Sequence, residues 1–230
     1  MEDTLFSILR IIHIVAGSVA FIVAPIAMIV HKGGKAHRTW GKVFFWAMTT
    51  LALMAAIMAP MHDNLFLLML AVFSFYLAFS GYRALYRKTV YKTGKTETID
   101  WFFAILNGSF SLGLLILGLT ALPKPFGIIA VVFGSIGTWR GIRDIREFLH
   151  PSKDPKAWFY KHMIGMVTAY IAAVSAFSAV NMGFLPPVLQ WLWPTLTGSP
   201  LLSIWIRSYK RKLSGGKKVS QLVTVATESE

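Results

Sequence analysis

Seven apolar runs, each about the length needed to cross a ~30 Å hydrocarbon layer and each ended by a polar or proline-rich break, constrain this chain more than any other feature. The first covers residues 5–30 and is interrupted only by Arg10 and His13. Its acidic start, its length and the lack of a small-x-small cleavage site set it apart from a secretory signal, so it reads as a retained helix bent near Pro25. The other runs fall at 43–61, 65–85, 101–122, 126–148, 158–182 and 188–206. The expected architecture is an all-α integral membrane seven-helix bundle over residues 1–207, followed by a basic, disordered tail over 208–230.

A soluble domain does not explain the composition. Residues are 55% hydrophobic and only 14% charged, too few polar groups to cover a water-facing surface of this size. The chain has no cysteine, which excludes disulfides, thiolate metal sites and cysteine nucleophiles. Its net charge of +13 would point to nucleic acid in a soluble protein. Here the basic residues sit between apolar runs, so the expected partner is a lipid bilayer with anionic headgroups and no nucleic acid.

The same residues set an orientation. The breaks after the first, third and fifth runs, taken with the run ends that adjoin them, and the segment after the seventh hold all the lysines and arginines except Arg10 and Lys124. Seven crossings put those four segments on one side, and the positive-inside rule makes that side cytoplasmic, with the N-terminus outside. A bacterial inner membrane is the expected location. Tryptophans such as Trp40, Trp101, Trp158 and Trp205 stand near predicted helix ends, as interfacial residues do.

Polar groups within the apolar runs are costly and need an account. His13 reads either as a neutral imidazole bonded to a neighbouring helix or as a haem, metal or proton-relay ligand. No second histidine lies at its depth. Asn107 lies in a run with Ser109, Ser111 and several glycines, a composition that tight helix contacts explain, as they do the GxxxG spacing of Gly137 and Gly141.

The cytoplasmic side carries the stronger constellation. His31, His37, His150 and His162 all fall at helix ends there. His162, Met166 and Tyr170 form one helical stripe, and Arg140–Asp144 and Arg143–Glu147 are i, i+4 pairs. If the first, second, fifth and sixth helices meet, His37, Arg38, Arg140, Arg143, Asp144, His162 and Tyr170 line one pocket. Guanidinium forks suit an anionic small molecule or lipid headgroup. A transition metal held by His31, His37 and His162 is an alternative, as is b-type haem or quinone chemistry between His37 and His162. A small-solute transporter is a further alternative, although no inverted repeat is visible. The spacing matches no HExxH, P-loop, GxSxG or dinucleotide motif, and the last run has no lysine for a retinal Schiff base.

At HRTWG and KHMIGMVTAYIAA the chain resembles a large group of bacterial polytopic membrane proteins classed as a domain of unknown function. Their pattern is an early histidine followed by glycine, an HRxxG at a helix start, and a histidine followed by methionine or tryptophan and a Tyr-x-x-Ala stretch. Here the positions are His13 with Gly17, His37-Arg38 with Gly41, and His162-Met163 with Tyr170 and Ala173. The resemblance implies a membrane location and an all-helical fold, and it implies no activity.

Overall fold

A computed structural model describes residues 2–216. Among the described residues there are seven long helices, one single helical turn and no strand. They are α1 (Glu2–Ile29), α2 (Lys35–Met61), α3 (Leu65–Arg83), the short α4 (Val90–Thr93), α5 (Thr98–Thr120), α6 (Pro125–Leu149), α7 (Ala157–Asn181) and α8 (Pro187–Ser214). Six of them, α1, α2, α3, α5, α6 and α7, are long and apolar enough to cross a membrane.

Local signals set the helix ends. Gly33 adopts φ +79°, a left-handed conformation that favours glycine, and this turns the chain so that α2 starts at Lys35. The break expected between the runs that end at 30 and begin at 43 is therefore shorter, and His37 and Arg38 belong to the first turn of α2. Asn64 caps α3 by accepting from the Leu67 amide at 3.1 Å. Pro125 and Pro187 occupy the first turns of α6 and α8, where a missing amide proton costs nothing. The helix α8 runs on to Ser214 with Tyr209 and Leu213 buried, so residues 208–214 are helical where a disordered tail is expected. Residues 217–230 lie outside the described part.

The helix α3 is the centre of the bundle, packed against α2, α5, α6 and α7. Phe44 and Met48 of α2, Phe73 and Leu77 of α3, Leu114 of α5 and Phe133 of α6 meet in one buried cluster. Isoleucines of α1 such as Ile11 and Ile22 face outward instead, 59% and 62% exposed, as a lipid-facing surface requires. Small residues bring backbones together where side chains are absent: a Cβ on Gly134 of α6 would stand 2.5 Å from the Leu115 nitrogen of α5. On the other side of α3, a Cβ on Gly81 would stand 2.7 Å from the Met166 nitrogen of α7.

The helix α8 is less apolar than the other six, yet it lies antiparallel along the whole of α7. Trp193 donates to Ser178 at 2.7 Å, Phe159 and Tyr209 rings lie 5.8 Å apart, and Lys156 donates to the Leu213 carbonyl at 2.8 Å.

Candidate functional site

The residues expected to form one pocket separate into two groups on either side of the C-terminal end of α3. On one side, His37 of α2 and His162 of α7 meet edge to face, with ring centroids 6.1 Å apart and planes at 79°. Each ring is fixed by a backbone carbonyl. His37 Nδ1 lies 2.9 Å from Ala27 O in the last turn of α1, and His162 Nδ1 lies 3.0 Å from Gly81 O in the last turn of α3. Carbonyls of a last turn have no intrahelical partner, so both imidazoles act as donors to them. A neutral ring that donates from Nδ1 keeps Nε2 as an acceptor, and among the described residues no group hydrogen-bonds either Nε2.

Lysines surround this pair. The Lys32 ammonium donates to the carbonyls of Ala27, Met28 and Val30, closing the end of α1, and stands 5.4 Å from the Trp205 ring centre. Burial lowers its pKa to about 8. Charges on Lys32 and Lys88 both reach His162.

On the other side of α3, Arg140 and Asp144 pair with each other. Arg140 Nε donates to Asp144 Oδ2 at 3.0 Å, Tyr76 Oη donates to the same oxygen at 2.7 Å, and Arg140 Nη2 donates to Ser80 Oγ at 3.3 Å. Arginine and aspartate are 5% and 2% exposed, so the charges compensate each other inside the bundle. Tyr76 carries no sequence signal for this role, because it lies 68 residues from Asp144 and reaches it only through the α3–α6 packing. A second network joins Arg83 to Asp100 through two bonds of 3.0 and 2.9 Å and to Glu97 at 2.7 Å, fixing α5 to α3.

The other expected members stand elsewhere. Arg38 and His31 are exposed. Arg143 lies over the exposed Trp139 ring at 5.2 Å, and Glu147 pairs with Lys161 at 2.5 Å, so the expected Arg143–Glu147 pair does not form. Tyr170 packs 6.0 Å from Phe21 of α1. His13 donates to Leu51 O of α2 at 3.0 Å, and the fully buried Asn107 donates to Gly137 O at 3.0 Å and accepts from Ser111 at 3.3 Å.

The donor set does not suit the metal or haem alternatives. Among the described residues no three His, Asp or Glu side chains gather as a metal site would need, and the exposed His31 does not complete the pair. Two imidazoles are two ligands short of a tetrahedral zinc set. Haem ligation needs two rings aimed at one iron across a macrocycle. The pair here meets edge to face, and the α3 and α7 backbones touch at Gly81 and Gly165, one turn from His162, closing that side to a macrocycle.

Protein-family models, characterised proteins and solved structures were compared with the chain, and none matches it. The fold and its apolar helices define an all-helical membrane protein.

Proposed function

We propose that this is a seven-crossing inner-membrane protein, N-terminus outside and C-terminus cytoplasmic, that binds an anionic small molecule or lipid headgroup at the cytoplasmic ends of α2, α3 and α7. The end-to-end pairing of α8 with α7 supports the seventh crossing. At ~1.5 Å per residue its 28 residues exceed the hydrocarbon thickness, and its exposed hydroxyls on Thr197 and Ser203 donate to carbonyls one turn earlier in the same helix, each at 2.9 Å. The lysine and arginine distribution supports the orientation.

The observation that carries the binding reading is the His37–His162 contact, in which both Nδ1 atoms are committed, no described residue hydrogen-bonds either Nε2, and His162 lies within reach of the Lys32 and Lys88 charges. A proton on Nε2 turns each acceptor into a charged donor, so an anion bound there brings protons with it. The arginines 140 and 143, expected in the same site, are left out of it.

Purified protein in detergent, melted with anionic or zwitterionic short-chain lipid at pH 6 and pH 8, tests the reading. Anionic lipid should stabilise the protein more at pH 6, and the pH dependence should vanish in the His37→Ala, His162→Ala double variant. Equal stabilisation at both pH values in the unaltered protein would sink the reading.

A further inference from the structure

Two buried side-chain atoms with no hydrogen-bond partner among the described residues, Arg87 Nε and Thr96 Oγ1, belong to residues that line the same small cleft of about 30 Å³. The cleft lies where the loop after α3, the approach to α5, the α6–α7 turn and the first turns of α7 come together. The Arg87 guanidinium is fixed there. It donates from Nη2 to Ser80 O at 3.1 Å and lies over the Phe148 ring at 5.2 Å.

Lys88 and Lys161 line the cleft as well, the former with its ammonium 4.7 Å from the Trp158 ring centre. Two acids line the cleft too: Glu147 pairs with Lys161 at 2.5 Å and takes up that ammonium, and Asp154 accepts from the Lys156 amide at 2.8 Å. The start of α7, a helix of 25 residues, adds the positive end of its dipole at Ala157 and Trp158.

Buried donors in native proteins have acceptors, and an orphaned pair points to a water or an ion at that place. The donors left here are a guanidinium edge and the Lys88 ammonium from the loop after α3, and a hydroxyl from the approach to α5, beside the start of α7. A carboxylate's acceptor lone pairs lie in one plane, whereas the oxygens of a tetrahedral oxyanion point in several directions and suit donors that come from different segments. We infer that the cleft is a phosphate-group site, separate from the histidine pair, in which Arg87 Nε and Thr96 Oγ1 donate to the oxygens of a free phosphate or of a phospholipid headgroup. The inference does not depend on the function proposed above, since no histidine takes part.

Full-length protein in detergent micelles, titrated with inorganic phosphate at constant ionic strength, and in phosphatidylcholine nanodiscs with and without phosphatidic acid, provides the test. At least one probe should saturate. Phosphatidic acid alone doing so assigns the site to lipid, and inorganic phosphate doing so assigns it to free phosphate as well. Thr96→Val, which keeps the shape of the side chain, should weaken binding about tenfold. Arg87→Lys, which keeps the charge, should weaken it further. The inference is overturned if neither probe saturates, or if Thr96→Val leaves binding as it was, in which case the cleft holds only water.

Discussion

His37 and His162, 125 positions apart in the sequence, touch edge to face, and each fills the same kind of gap: a carbonyl left open at the last turn of another helix. The contact therefore ties α1 to α2, α3 to α7, and the two pairs to each other.

This predicts coupling. His162→Ala, which uncovers the Gly81 carbonyl, should lower stability by about 1–2 kcal/mol, and His37→Ala by about 1 kcal/mol, because Lys32 still donates to the Ala27 carbonyl. The double variant should lose less than the sum by at least ~0.5 kcal/mol, since the rings are in contact. Unfolding in mixed detergent measures both quantities, and strict additivity would mean that the rings do not interact.

The Arg140–Asp144 pair sets a different expectation. Asp144→Asn leaves a buried guanidinium without its counter-charge and should cost about 3–5 kcal/mol, while Tyr76→Phe should cost about 1 kcal/mol. Replacing both charges, with Arg140→Met and Asp144→Leu, should recover most of the loss. Thermal melts of the three variants in one detergent decide it.

Lys32 predicts the alkaline limb of stability. Its pKa is about 8 in the folded protein against an ordinary 10.5, so between those values the unfolded chain binds more protons. Stability should rise as pH increases through 8 toward 10, by at most about 1.4 kcal/mol per unit. Below pH 8 the buried ammonium costs its full amount. Lys32→Met should flatten this slope, and an unchanged slope would show that another group titrates there.

The Gly81–Gly165 contact links packing to the site. Gly81→Ala puts a Cβ 2.7 Å from the Met166 nitrogen, a backbone atom that cannot swing aside. Overpacking should cost about 1–3 kcal/mol and shift His162 away from its carbonyl. The histidine ring signals in an NMR spectrum should move in this variant and stay in place in Gly41→Ala, where a Cβ meets open space.

Orientation is directly testable because the chain has no cysteine. Single Lys95→Cys and Gly215→Cys variants should react with an impermeant maleimide only from the cytoplasmic side, and Lys124→Cys only from outside. Labelling of Gly215→Cys from outside would remove α8 as a crossing helix.

The sequence by itself determined the helical membrane architecture, because runs of apolar residues and their proline and glycine breaks act locally and need no partner to be read. It also singled out His37 and His162, through their placement at helix ends. It could not separate Arg140, which is enclosed with Asp144 and Tyr76, from Arg38, which is exposed, since both are arginines near the same boundary. Helical packing around α3 decided that, by turning one guanidinium toward a carboxylate and leaving the other outside. It also decided that Arg87 and Thr96, which no motif marks, line one cleft, because the loops that carry them meet only when α3, α6 and α7 come together. Which side chains share a space is a property of the packed helices, and no spacing along the chain encodes it.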